Sequence, residues 1–171
     1  LKLAIEKHRD IGEVVAIGAG VEGWRAGDKI AAIPSLGCGS CAACDHGNNV
    51  LCRAGGSAAK GFAEYASLPV NGLVRLPQTL SLADGALIEP LAVSLYGLRQ
   101  SGMEKGARVL VLGGGTVALY AIWWARRLGA GRIVCLSRSP RRAEMALAMG
   151  ADAFLPFGPN EVGEAVEALG G

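Results

Sequence analysis

The chain has 171 residues, 51% of them apolar and 19% charged, a balance that fits a globular fold and excludes a disordered or low-complexity module. A formal net charge of +2 and sparse aromatic residues, without a basic stripe, give no basis for a nucleic-acid partner. No apolar run reaches the roughly 20 residues of a membrane-spanning helix, so no membrane partner is expected either.

Residues 1–10 carry no periodic signal and hold one isolated histidine, His8. Residues 12–18 read as a short apolar strand between glycines, and residues 28–33 as another, stopped by Pro34. After a cysteine-rich excursion, residues 61–68 alternate like a half-buried strand, and residues 72–76 form one more. Short strands separated by glycines predict a small barrel or sandwich. Near residue 81 the pattern changes: Ser81 caps a short helix through Leu87, and Pro90 opens a second through about Arg99. Residues 107–112 are almost wholly apolar, as in a strand covered on both faces. A helix over 116–128 follows, then a buried strand over 132–136, and a helix opened by Ser139-Pro140 that ends at Gly150. A third strand over 153–155 and a helix over 161–169 complete the chain. The β-α-β-α-β succession predicts a parallel, doubly wound sheet, so the fold class is α/β. Two units are expected, a β-rich one over residues 1–99 and an α/β one over 100–171.

Four of the five cysteines fall at Cys38, Cys41, Cys44 and Cys52. Two-residue gaps aim neighbouring thiolates at one point, and the longer gap returns a fourth sulfur to close a tetrahedron, the pattern of a structural zinc site. Gly39, Ala42, Ala43 and Gly47 in the gaps suit tight turns. A disulfide framework would suit a small secreted domain, whereas this chain is long, shows no signal peptide and has an odd cysteine. An iron–sulfur cluster lacks the Cys-Pro that closes the bacterial ferredoxin run. Clustered thiols without a secretory signal predict a reducing compartment, the cytoplasm.

Gly113-Gly114-Gly115-Thr116-Val117-Ala118 stands between a predicted strand and a predicted helix and fits Gly-x-Gly-x-x-(Gly/Ala). Gly113 allows the sharp turn, and Gly115 lets backbone amides approach a pyrophosphate at the helix N-terminus. Gly114, Thr116 and Val117 complete the candidate cofactor loop. An acid at the end of the next strand would bind ribose hydroxyls. Ser137 stands there instead, followed by Arg138 and Arg142, whose guanidinium groups suit a 2′-phosphate. NADP(H) is therefore expected over NAD(H).

In this order, the motifs resemble the zinc-containing medium-chain alcohol dehydrogenase family. The match begins with the spacing of His8, Gly12, Gly18 and Val21 and continues through Gly27-Asp28-Lys29-Ile30 and the four cysteines. Gly61-Phe62-Ala63-Glu64-Tyr65, Glu89-Pro90-Leu91-Ala92 and the glycine turn complete it. The resemblance implies a partial GroES-like β-barrel catalytic domain followed by the first part of a Rossmann doubly wound sheet. It implies a second, catalytic zinc with His8 and Glu89 among its ligands, which polarises the oxygen of a small alcohol or carbonyl substrate during hydride transfer. The expected activity is that of a zinc-dependent alcohol dehydrogenase or aldehyde reductase using NADP(H), a homo-oligomer at full length.

The chain is expected to be a fragment, with the first catalytic-zinc cysteine before Leu1 and the nicotinamide-binding half of the sheet after Gly171. Alone it is expected to be inactive. It also departs from the family: Gly-His-Glu is replaced by Lys7-His8-Arg9, a cation where the family has an acid. That departure leaves open a medium-chain quinone or enone reductase keeping only the structural zinc. A zinc-ribbon-like interaction module is the alternative of another class.

Overall fold

Alternation in one half of the chain and apolar runs in the other give two separate architectures. The computed structural model describes residues 2–4, 11–33, 35–57 and 63–171. The chain forms two compact units, Leu1–Ile88 and Glu89–Gly171.

The first unit contains β1 (Lys2–Ala4), β2 (Ile11–Ala16), β3 (Lys29–Ala32), β4 (Ser35–Leu36), α1 (Ala42–Asp45), β5 (Gly56–Ser57), β6 (Tyr65–Ser67), β7 (Leu73–Arg75) and α2 (Leu82–Gly85). Five strands form an antiparallel sheet in the order β6-β1-β2-β3-β7. Successive side chains of β3 point to opposite faces. Ile30 and Ala32 therefore join Val14 and Leu68 in one buried cluster. Ala31 joins Ile11 and Leu76 in another, closed by Leu82, Ala86 and Ile88. Between β3 and β6 the chain leaves the sheet for the cysteine lobe, whose base is the two-residue ladder of β4 and β5.

A buried charge locks the turn before β3. Asp28 is 1% exposed, accepts the Arg25 N–H at 3.0 Å and pairs with the Arg75 guanidinium at 2.5 Å. The same guanidinium lies 4.4 Å from the centre of the Trp24 ring. The Arg25 N–H and the Arg75 charge hold the Asp28 carboxyl below its ordinary value, against the effect of burial.

The second unit opens with α3 (Ile88–Gln100), one residue before the division, and continues with β8 (Arg108–Leu112), α4 (Thr116–Arg127), β9 (Arg132–Ser137), α5 (Ala143–Ala148), β10 (Ala153–Pro156) and α6 (Glu161–Leu169). Its sheet is parallel, in the order β10-β9-β8. The central strand, β9, is buried from Ile133 to Ser137, which accounts for its unbroken apolar run. Ile133 and Cys135 share a core with Leu119, Ile122 and Ala125, spaced along one face of α4, and with Ala146 of α5. Alternation turns Val134 and Leu136 to the other face. There α6 packs along the strands, its end pinned by hydrogen bonds from Arg132 to the Ala168 carbonyl and from Arg108 to the Gly171 carbonyl.

Several boundaries differ from the expected ones. Ser81 caps α2 by accepting the Asp84 N–H at 3.0 Å, but the helix ends at Gly85. Helix α3 starts at Ile88, so Pro90 sits inside its first turn, where no intrahelical N–H is required. Ser139-Pro140 opens a 3-10 turn (Pro140–Arg142), and α5 proper begins at Ala143. Of the strand expected over 61–68, β6 covers Tyr65–Ser67, while Gly61 and Phe62 lie outside the described residues.

Candidate functional site

The cysteine lobe brings its four thiols together. All four sulfurs lie within 4.8 Å of one another. Cys41 is 3.6 Å from Cys44 and 3.7 Å from Cys52, and Cys38 is 4.0 Å from Cys44. Ligands of a tetrahedral ion with zinc–sulfur bonds of about 2.3 Å stand about 3.8 Å apart, so the donor set fits zinc in size and chemistry. Gly39 and Gly47 take left-handed conformations, with φ of 75° and 70°. Gly39 turns the chain between Cys38 and Cys41, and Gly47 between Cys44 and Cys52. The Cys38 N–H donates to the Cys52 sulfur at 3.3 Å, and the Ser40 hydroxyl to the Cys38 sulfur at 3.5 Å. Ser40, through its hydroxyl and N–H, holds the Cys38 thiol down at about 6. The Cys44 N–H favours the Cys41 thiolate, yet the crowded neighbouring sulfurs leave Cys41 raised to about 11. Four thiols this close retain their last protons until a cation takes their place.

The second constellation surrounds the glycine turn. The Gly113 N–H donates to the Leu136 carbonyl at 2.8 Å, extending the β8–β9 ladder by one rung. Its φ of 112° then swings the chain off the sheet. Gly114 passes so near β9 that a β-carbon there would lie 3.1 Å from Ser137 Oγ. Gly115 caps α4 without a side-chain bond, and a β-carbon on it would meet nothing within 4 Å. The space over the turn is therefore open, and the first N–H groups of α4, at Thr116 and Val117, face no intrahelical acceptor. A cleft of about 630 Å³ lies here, lined by Gly114, Gly115, Ser137, Arg138, Arg141 and Arg142, with Ser139 and Met145. Arg142 donates to the Gly114 carbonyl at 3.2 Å, so the turn and the basic rim are bonded to each other. The helix N-terminus and three guanidinium groups give this cleft a positive lining of the kind that suits a phosphate group.

Comparison with known proteins shows the family. The family model described as "Alcohol dehydrogenase GroES-like domain" matches residues 5–78, and one described as "Alanine dehydrogenase/PNT, C-terminal domain" matches 92–157. The (R,R)-butanediol dehydrogenase of Bacillus subtilis (strain 168) is 36% identical over 168 residues, covering 96% of this chain and 48% of its own. The sorbitol dehydrogenase of the same strain is 32% identical over 149 residues, covering 84% and 42%. The chain belongs to the zinc-containing medium-chain alcohol dehydrogenase family. This medium-chain dehydrogenase chain also superimposes, with a TM-score of 0.80 and 34% identity, on a candidate zinc-binding dehydrogenase from Sinorhizobium meliloti 1021 solved bound to NADP. That match covers 92% of this chain and 46% of the other. The chain spans about half the length of the curated relatives it matches.

Of the two expected catalytic-zinc residues, one is described. Glu89 lies half-buried in the first turn of α3. His8 lies outside the described residues. Among the described residues, the four cysteines are the one cluster of potential metal ligands. The fifth cysteine, Cys135, sits in the core of the second unit, and burial pushes its thiol up. Arg141 and Ser139, both on the rim of the cleft, are not among the cofactor residues expected from the sequence. Their signal was the basic, Pro-interrupted turn after β9.

Proposed function

We propose that the protein to which this chain belongs is a zinc-dependent alcohol dehydrogenase or aldehyde reductase that transfers a hydride between NADP(H) and a small alcohol or carbonyl compound. The observation that carries this reading is the glycine turn, opening onto a cleft where Ser137 replaces a carboxylate and Arg138, Arg141 and Arg142 form the rim. A carboxylate at Ser137 would bond ribose hydroxyls and repel a 2′-phosphate; a hydroxyl and guanidinium groups do the reverse. The NADP-bound relative supports this choice, and the names of the sorbitol and butanediol dehydrogenases support a small hydroxylated substrate.

In this reading Gly113, Gly114 and Gly115 let the backbone approach the pyrophosphate, which the N–H groups of Thr116 and Val117 cradle. Arg138 and Arg142 neutralise the adenosine phosphate. Cys38, Cys41, Cys44 and Cys52 hold a zinc that is closed to substrate and fastens the lobe. His8 and Glu89 would contribute to a second, open zinc, which supplies polarisation of the substrate oxygen. Titrating the chain with NADP+ and NAD+ tests the reading. Binding of NADP+ at least about tenfold tighter is expected, and equal affinity or a preference for NAD+ would overturn the cofactor assignment.

One observation favours a second reading. Lys7 and Arg9 flank His8, and a cation beside the family's metal position opposes a bound zinc ion. A quinone or enone reductase keeping only the lobe zinc would contain one zinc per subunit, against two for an alcohol dehydrogenase, and metal analysis of the full-length protein separates them. The interaction-module alternative loses its footing, because the lobe lies inside the residues matched by the alcohol dehydrogenase GroES-like domain.

A further inference from the structure

We propose that Ser94 is a positioning residue for the nucleotide cleft, clamping the first turn of α4 so that its N–H groups stay aimed over the glycine turn. This inference rests on the reading of that cleft as the dinucleotide site.

Ser94 lies in the middle of α3, where serine is a mediocre helix former, and is only 4% exposed. A position chosen for packing alone would carry an apolar side chain, since a buried hydroxyl is costly without a partner. The Ser94 hydroxyl has two acceptors. It lies 2.8 Å from the Pro90 carbonyl of its own helix and 2.9 Å from the Val117 carbonyl in the first turn of α4. The single hydroxyl hydrogen is shared between them. The Val117 bond joins residues 23 apart in sequence, so it fixes one helix against the other.

A second tie runs in the opposite direction. Trp124 Nε1 of α4 donates to the Leu91 carbonyl of α3 at 2.9 Å. Trp124 lies seven residues beyond Val117, about 10 Å further along the helix axis. Two ties at this separation fix both the rotation and the slide of α4 on α3. The tie at the cofactor end is the one made by Ser94. Gly115 supplies no side-chain cap, so the direction of the free N–H groups depends on how the first turn is held. Helix α3 carries Glu89 in its first turn, so the clamp also sets the register between that carboxylate and the glycine turn.

The test compares wild type, Ser94→Ala, Ser94→Thr and a control, Ser101→Ala. The control removes a hydroxyl bond at the exposed end of the same helix, where Ser101 donates to the Leu98 carbonyl. Two readouts are taken on each folded variant: amide hydrogen exchange at Leu119, Tyr120 and Ala121 without nucleotide, and the Kd for NADP+. Ser94→Ala is expected to speed exchange at these three amides and weaken NADP+ roughly five- to tenfold, the size of one buried hydrogen bond. Ser94→Thr should restore both, and Ser101→Ala should leave both unchanged. Unchanged exchange at the three amides in Ser94→Ala overturns the clamp. So does an equal acceleration throughout the unit, which marks plain destabilisation. If wild type itself fails to bind NADP+, the dinucleotide reading falls, and the exchange pattern still decides whether Ser94 holds the turn.

Discussion

A β-carbon on Gly37 would sit 2.3 Å from the sulfur of Cys44 and 2.8 Å from Oδ1 of Asn49. The sulfur cannot retreat freely, because Cys44 belongs to the thiol cluster. Gly37→Ala is therefore expected to push one sulfur out of the tetrad. Overpacking of this kind costs about 1–3 kcal/mol. The measurable result is a fall in zinc content from one per chain, with a lower melting temperature that added zinc only partly restores.

Removing the metal should act on the lobe. With a chelator, four of the five thiols are expected to react rapidly with a thiol reagent, and Cys135 only once the chain unfolds, since it lies buried in the second unit's core. The sign with pH follows from the thiols. Cys41, raised to about 11, resists deprotonation, so protons compete with zinc and its release is promoted as pH falls. Stopped-flow release of zinc into a chromogenic chelator, followed across pH, checks this. A rate that rises with pH would contradict it.

Asp28 predicts an acid dependence of stability. Its carboxyl is depressed in the folded chain, so its stabilising contribution is complete above the unfolded value of about 3.9. That contribution is lost as pH falls through the lower, folded value. Asp28→Asn removes the charge opposite Arg75, so the variant is expected to be less stable at neutral pH and to lose less on acidification. Denaturant midpoints at pH 7 and at successively lower pH give the comparison.

Cofactor choice should respond to single changes on the rim. Ser137→Asp places a carboxylate at the end of β9 and is expected to weaken NADP+ while sparing or improving NAD+. Arg142→Ala should weaken NADP+ by about tenfold, because it removes a charge-assisted bond, and leave NAD+ nearly unaffected. Titration calorimetry with both nucleotides reads the two ratios.

Residues whose chemistry is local were legible before any coordinates. The cysteine spacing announces a cluster because four thiols within 15 residues have few other reasons to converge. The glycine turn is readable because an apolar run, three glycines and a helical stretch follow in order. Ladders between distant segments were not legible. β1 is three residues long and shows no alternation, and its place between β2 and β6 comes from pairing partners elsewhere in the chain. Ser94 gave no sign either. A serine within an apolar helix reads the same whether its hydroxyl bonds only its own turn or also a helix 23 residues away. The Arg142 bond to Gly114 was equally hidden, since it depends on how the 3-10 turn after Ser139 presents the side chain.

That tether has a thermodynamic corollary. An arginine that waits for its ligand as a mobile surface chain surrenders its rotamer freedom only when the ligand arrives. Arg142 is already fastened to the glycine backbone, so much of this ordering is completed during folding. Its encounter with an anion then becomes a small reorientation of a group held in place, which favours affinity through preorganisation.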